Sequence, residues 1–596
     1  MRTGASGQQS HASIILYVNS GPEGAVAHSS AADPARLHPV IRKIGDGMLG
    51  LMQDAPLVLS SLIDYAARYH GRVEVVSRAD GGDIERSNYA TVAKRARRLA
   101  CALRGLGVRP GERVATLAVN STRHLELYYG ATGAGAILNT VNPRLFPEQI
   151  AYILQHAEDR FIFLDAAFAS ILEPLAADLP GVEGFIFLCG RDQVPQTRLP
   201  NVMCYEDLLD GQPDDEPWAT VGERDGAILC YTSGTTGSPK GVLYSHRALV
   251  LHAFCATAAD GMGLSSRDSV LLTTPLFHVN AWGIPFAAAM SGAKLVLPGS
   301  ALDGESIYTL LRDEGCTFSL GVPTIWLGFL DFISSQAKRL SLSSLMLERV
   351  LVGGSAAPRA LIEKFDVLLG VYVIHAWGMT ETSPLATIGT PLPEHARLER
   401  QARYDIQSRQ GRAIYGVELR IIDADGQVLA SDGVATGELQ VRGAWVIERY
   451  FKSETSALDQ DGWFATGDVA RILPDGYLQI TDRSKDVIKS GGEWISSIDL
   501  ENAAVAHPDV REAAVIGVAH PKWQERPLLL VVPQSGATLT KEVILDFLSH
   551  RVARWWLPEE VLFVSELPHT ATGKLLKTAL REQYRDYLAP TAANAR

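Results

Sequence analysis

The sequence predicts an α/β protein. A large N-terminal domain of layered, largely parallel sheets with helices carries a small β-rich subdomain, and a small, mobile C-terminal α+β domain comes after it. Three observations predict this. Helix-like and strand-like segments alternate through the first half of the chain. The strand-like segments are short continuous apolar runs, the habit of strands buried on both faces. Beyond about residue 410 the strands shorten and turns become dense.

Residues 1–47 are rich in Gly, Ser, Ala and His and lack a sustained period. They are expected to be a disordered leader, and Met48, ahead of a well-patterned segment, suggests an artefact of start-codon choice. Tyr89–Leu106 has helical patterning and closes at Gly105 and Gly107. Arg113–Val119 reads as a buried strand, as do FIFLD at 161–165, GFIFL at 184–188, AILCY at 227–231, SVLLTT at 269–274 and AKLVLP at 293–298. Nearer the C-terminus, Asp-Gly pairs between strand-like runs (ELRIIDADGQVL, DGYLQITD) predict hairpins or tight turns. A charged run, Asp482, Arg483, Ser484 and Lys485, separates two apolar segments and marks a boundary. The expected domains are therefore 48–484 and 485–596.

Composition narrows the function. Of 596 residues, 46% are hydrophobic and 20% charged, which excludes disorder, collagen and coiled coil as whole-chain readings. A net charge of −12 lacks the basic field that duplex binding needs, so no nucleic-acid partner is expected. The six cysteines (101, 189, 204, 230, 255, 316) show no C-x-x-C spacing and fit a reduced compartment. No apolar run reaches the ~18 residues of a membrane span, and a cytoplasmic setting is the simplest expectation.

The sharpest motif comes directly after AILCY. Tyr231 leads into Thr232, Ser233, Gly234, Thr235, Thr236, Gly237, Ser238, Pro239, Lys240 and Gly241. Glycines let backbone approach phosphate oxygens, hydroxyls and N–H groups donate to them, and the lysine adds a cation. A flexible surface turn is the bland alternative. A Walker A loop is excluded, because Pro239 precedes Lys240 where a glycine belongs.

This loop resembles the phosphate-binding element of the adenylate-forming superfamily, which includes acyl-CoA synthetases, aryl-acid ligases, luciferase and peptide-synthetase adenylation domains. The resemblance spans about residues 50–580, and six further motifs occur in the family's order. They are His375–Glu381 (HAWGMTE), Gly437–Gly443, Gly462–Asp468 (GWFATGD), Asp482–Asp486, Lys489–Glu493 and Pro568–Lys574.

The resemblance implies a reaction and a role for each motif residue. A carboxylic acid is activated by ATP to an acyl-adenylate and then passed to coenzyme A, with AMP and pyrophosphate released. Lys574, Thr380 and Glu381 are the catalytic candidates, and Glu381 would hold Mg²⁺. The loop Thr232, Ser233, Gly234, Thr235, Thr236, Gly237 and Lys240 would contact phosphates. Gly354, Ser355, His375, Ala376, Trp377 and Gly378 would line the nucleotide, with Trp377 stacking on adenine where most relatives carry tyrosine. Asp468 would accept from the ribose hydroxyls, with Arg483 beside it. Lys485 would be a hinge, and Lys489, Gly491, Gly492 and Trp494 would meet the thiol carrier after rotation. Taken singly, these residues have structural readings too: a turn cap for Asp468, a helix cap for Glu381, solvated linker charges for Arg483 and Lys485.

The acid pocket is expected around His278, Asn280, Trp282 and Gly353, with Ala287, Ala288, Ala289 and Gly292 leaving room for an apolar chain. His278 stands after Phe277 where amino-acid-activating relatives carry aspartate, which argues against an ammonium-bearing substrate. The resemblance is nearest to bacterial medium- and long-chain fatty-acid–CoA ligases. A short-chain or aryl-acid ligase, or an enzyme loading a carrier-protein thiol, stays open, as does a catalytically silent binding protein. Relatives with fatty substrates suggest a homodimer.

Overall fold

The structure is a computed structural model that describes residues 50–79, 81–232, 238–490, 493–570, 574–585 and 587–588. The leader expected over 1–47, the loop residues 233–237 and Gly491 and Gly492 lie outside these. Residues 50–55 are exposed, and the elements all belong to the unit Pro56–Arg596.

Two large sheets dominate. In the first the strand order is Val202–Cys204, Gly184–Phe187, Asp159–Leu164, Arg113–Leu117, Ile137–Thr140, Gly226–Tyr231 and Gly241–Ser245. All neighbours are parallel except the last pair. The second sheet has nine strands. Its centre runs Tyr372–Gly378, Arg349–Val352, Phe318–Gly321, Ser269–Leu272, Lys294–Leu297 and Glu74–Arg78, all parallel. Antiparallel strands close both ends. The apolar runs read from the sequence are these strands, to within a residue or two at most ends. Their side chains are buried because helices cover both faces.

The helices start where short polar side chains cap them. Asn88 accepts from Thr91 N–H (2.9 Å) before Tyr89–Gly105, and Ser245 accepts from Ala248 N–H (3.1 Å) before His246–Thr257. Helix Ile284–Ser291 is buried along most of its length and packs on His246–Thr257 and on Leu59–Tyr69.

The texture change beyond 410 is a four-stranded antiparallel sheet, Val417–Ile422, Gly437–Gly443, Phe464–Ile472 and Leu478–Arg483. The Asp-Gly pairs do close turns: Asp423 Oδ1 accepts from the N–H groups of Asp425 and Gln427, and Asp475 Oδ1 from that of Tyr477. After a turn at 484–487 the chain builds a last sheet, Glu493–Ile495, Ile488–Ser490, Gln524–Pro533 and Val510–His520, with Glu560–Phe563 parallel to Gln524–Pro533.

Candidate active site

A cavity of about 520 Å³ collects most of the described candidate residues. Each reaches it for a local reason. Thr232, directly after strand Gly226–Tyr231, lines the cavity, and its N–H donates to Lys240 O at 2.9 Å. Gly241 leaves little room there, since a Cβ would stand 3.1 Å from both Phe451 Cβ and Tyr231 Cζ. Lys240 Nζ lies 4.8 Å from the ring centre of Tyr450, and the Tyr450 hydroxyl donates to Glu381 Oε1 at 2.8 Å. One aromatic residue thus links the loop lysine to the buried carboxylate.

Strand Tyr372–Gly378 delivers the next group. It bulges between Trp377 and Gly378, where a Cβ on Gly378 would collide with the Pro384 carbonyl. Beyond it, Thr380 and Glu381 sit in a tight turn held by Tyr244 Oη–H donating to Thr380 O (2.7 Å) and Ile447 N–H to Glu381 O (2.8 Å). The Trp377 indole Nε1–H donates to Asp468 Oδ2 at 3.0 Å. Asp468 faces Arg483 across the antiparallel pair, with Arg483 Nε 3.6 Å from Asp468 Oδ1. Burial pushes the Asp468 carboxyl above its usual range, and Arg483 and the indole bond pull against that.

Lys574 arrives from the far end of the chain. Its backbone is fixed by Thr570 N–H donating to Lys574 O (2.7 Å) and Lys574 N–H to Thr570 Oγ1 (3.1 Å). Its Cε lies 3.6 Å from where a Cβ on Gly354 would stand. Desolvation, then repulsion from Arg483, lowers the ammonium pKa to about 8, against the pull of Asp468 and Glu381. His278 is driven to about 3 by burial and by Lys574, so it is a neutral imidazole at pH 7.

Some expectations need correction. His375 lines the cavity, yet both its ring nitrogens are committed. Nδ1 pairs with Ser408 O at 3.0 Å and Nε2 with Ala357 N–H at 3.3 Å, and burial holds the ring near pKa 4. It braces the turn of Gly353, Gly354 and Ser355 and has no free ring nitrogen for a nucleotide. Asn280 is fully buried beside Cys230 and is not in the cavity lining. Ala287, Ala288 and Ala289 are also fully buried outside the lining, because their helix packs between two others. The apolar wall is built instead by Met262, Val279, Trp282, Leu327, Leu351 and Leu385. Trp282 reaches it through an unusual backbone. Val279, Asn280, Ala281 and Trp282 all have positive φ (45°, 56°, 46°, 57°), and Gly283 comes next at 80° with His252 pressed against it. Only Asn280 and Gly283 in that run favour left-handed backbone, so the residue types do not announce it.

Lys489 does not line this cavity. It is exposed on strand Ile488–Ser490, opposite Trp494 in register, and its N–H donates to Glu525 Oε2 (2.9 Å). Lys485 does line it, in the turn after Arg483. Motifs taken alone miss Tyr450 and Tyr244. Tyr450 lies between two recognised motifs, and nothing in its neighbours announces a contact 69 residues away.

Among the described residues no group of three or more His, Cys, Asp or Glu side chains could hold a metal ion. Mg²⁺, however, is commonly held by one or two carboxylates plus substrate phosphates and waters. Glu381, buried and lining the same cavity as Thr232 and Lys240, fits that habit.

A cavity lined by Thr232 and Lys240, by the buried carboxylates of Glu381 and Asp468 and by Lys574 from near the C-terminus fits a nucleotide-activating ligase. The AMP-binding enzyme family model matches residues 62–451 and the AMP-binding enzyme C-terminal domain model matches 499–574. The chain belongs to this family and is an ATP-dependent, AMP-forming acid–CoA ligase. It is 50% identical over 541 residues to 3-methylmercaptopropionyl-CoA ligase of Ruegeria pomeroyi, covering 91% of this chain and 100% of the relative. It is 48% identical over 547 residues to medium-chain-fatty-acid–CoA ligase of Ectopseudomonas oleovorans, covering 92% and 100%. Among solved structures, anthranilate CoA ligase AuaEII in complex with anthranoyl-AMP matches with a TM-score of 0.79 at 26% identity, covering 90% and 100%. Among the described residues no helix is long and apolar enough to cross a membrane.

Proposed function

We propose that the acid is a medium- or long-chain fatty acid, activated in two steps by two arrangements of the 485–596 domain. The observation that carries the substrate reading is the apolar wall of Met262, Val279, Leu327 and Leu351. It offers a flexible tail burial worth about 0.8 kcal/mol per CH₂ and no fixed charge for a second polar group. The alternative is a short thioether or aryl acid, and the 50% identity to a 3-methylmercaptopropionyl-CoA ligase keeps the thioether acid in contention.

In the first step a carboxylate oxygen attacks the α-phosphorus of ATP, the bond to the β-phosphate oxygen breaks, and pyrophosphate leaves. Thr232 and Lys240 would hold phosphates, Trp377 the adenine and Asp468 the ribose hydroxyls. Lys574 would neutralise charge developing at the α-phosphate, which is electrostatic and positional work. Mg²⁺ on Glu381 would offset the negative charge of the β- and γ-phosphates. With Lys574 inside the cavity and Lys489 outside it, the arrangement fits this step. In the second step, rotation about Lys485 would withdraw Lys574 and bring Lys489, Gly491, Gly492 and Trp494 to the adenylate. The thiol sulfur of CoA then attacks the acyl carbon and AMP leaves. A pyrophosphate-release screen across even-numbered acids from acetate to hexadecanoate, with benzoate and 3-methylmercaptopropionate, with and without CoA, tests the reading. Octanoate to dodecanoate should give the highest kcat/KM. A profile that is flat or falling from acetate onward overturns it.

A further inference from the structure

Trp377 does more in this structure than present a ring. It stands at the bulge that ends strand Tyr372–Gly378, nearly buried, and its indole N–H is the one hydrogen-bond donor found on the Asp468 carboxylate among the described residues. Asp468 is 6% exposed and lines the same cavity. Its other oxygen faces Arg483, whose Nε at 3.6 Å is too far for a hydrogen bond. A carboxylate offers about four lone-pair sites, and burying it with most of them unused is costly. One is filled by the indole, and the others border a cavity wide enough for substrate. Tyrosine at this position would carry its polar atom at the far end of the ring and not on the flank, so the N–H contact belongs to tryptophan.

We infer that Trp377 is a positioning residue for Asp468: its indole N–H holds the carboxylate in one orientation, so that the ribose hydroxyls of ATP meet a fixed acceptor. The inference rests on the reading of Asp468 as the ribose-binding group. It separates two roles that the ring alone would merge, since stacking needs the aromatic face while positioning needs the N–H.

The test is calorimetric binding of ATP and of 2′,3′-dideoxy-ATP, in excess Mg²⁺ and without acid so that nothing turns over. Three forms of the full chain are compared: wild type, Trp377→Phe, and a form with β-(3-benzothienyl)alanine at 377. The last keeps the shape of the indole with sulfur in place of N–H, so it stays informative if the phenylalanine variant folds poorly. ATP affinity should fall about three- to tenfold in both altered forms, the usual worth of one hydrogen bond. Affinity for 2′,3′-dideoxy-ATP should stay within about twofold in the sulfur form, which keeps the stacking ring while the acceptor has nothing to receive; Trp377→Phe, which also shortens that ring, should weaken both nucleotides but ATP by the larger factor. Equal weakening of both nucleotides, or of neither, by the sulfur analogue overturns the inference and leaves Trp377 as a stacking or structural residue. If wild type binds both nucleotides equally, the ribose reading of Asp468 fails first, and the inference falls with it.

Discussion

The two sides of the cavity are built on different principles. Where the nucleotide is proposed to bind, three directional bonds hold the lining: Trp377 to Asp468, Tyr450 to Glu381 and Thr232 to Lys240. Where the acid is proposed to bind, apolar side chains from well-separated segments line the cavity, Met262, Val279, Leu327 and Leu351, with Trp282 placed by a left-handed run of backbone. Charge recognition demands particular residue types at particular spacings, because only a few side chains can donate to a phosphate or accept from a hydroxyl. An apolar slot demands only volume and shape, which many residues supply equally well. Substitutions on the first side are therefore expected to cost chemistry, and those on the second to change which acid is preferred.

The largest expected effect breaks the nucleotide side. Lys574→Ala should lower pyrophosphate release about 10²–10³-fold, the cost of one preorganised charge stabiliser. Thioester formation from pre-formed acyl-AMP and CoA should survive. Equal loss in both half-reactions of a folded variant would contradict the division of labour. The same residue predicts a pH effect. Because its pKa in the free enzyme is lowered to about 8, the ammonium is present below that value and lost as pH rises through it. The kcat/KM for adenylation should therefore decline above about pH 8, while the thioester half-reaction shows no matching limb. An adenylation limb only above pH 10 would place Lys574 in a more solvated setting.

Next in size is Lys485→Pro. The turn at 484–487 is closed by Asp486 and Val487 N–H groups on Arg483 O. Proline fixes φ near −65°, so the rotated arrangement would carry strain of about 1–3 kcal/mol, or five- to 150-fold in population. Thioester formation should drop by that factor while adenylation is largely kept. Loss of adenylation first would move the hinge elsewhere.

A paired substitution sharpens the acid side. Ala288 is fully buried between helices, so Ala288→Trp should overpack the core, cost at least about 1–3 kcal/mol and lower Tm without changing which acid is preferred. Leu327 borders the cavity, so Leu327→Trp should shorten the preferred acid with little loss of Tm. Measuring Tm and kcat/KM against chain length for both decides which residues face substrate. A change of preference in Ala288→Trp at unchanged Tm would restore the alanine-lined slot.

Legibility in the sequence divides along the same line. The parallel strands are readable because double burial writes itself as unbroken apolar runs such as AILCY. The phosphate loop, Glu381, Asp468 and Lys574 are readable as motif residues. The alanines mislead, since small apolar side chains are equally suited to close helix packing and to a spacious slot. His375 is readable as a motif residue, but the engagement of both its ring nitrogens is not, because their partners, Ser408 and Ala357, lie outside the motif. On sequence alone, Trp377 in place of tyrosine looks like the loss of a hydroxyl. Only the three-dimensional pairing of strand 372–378 with a residue 91 positions away reveals the donor gained in exchange.

Tyr450 gives the smallest effect and tests whether the directional side is as tightly coupled as its geometry implies. Its hydroxyl donates to Glu381 Oε1 at 2.8 Å, and its ring lies under Lys240 Nζ at 4.8 Å. Tyr450→Phe removes the first contact and keeps the second. One hydrogen bond is worth about 0.5–1.5 kcal/mol, so kcat/KM for ATP should fall about two- to tenfold. Tyr450→Leu also removes the cation–π contact, worth about 0.5–1 kcal/mol at exposed sites, and should fall about two- to fivefold further. Glu381 has a second tether through Ile447 N–H on its carbonyl, which fixes its backbone but not its carboxylate. If Tyr450→Phe leaves kcat/KM unchanged, that backbone tether suffices to aim Glu381. The loop lysine and the buried acid would then act independently, and the nucleotide side would be less coupled than its hydrogen bonds suggest.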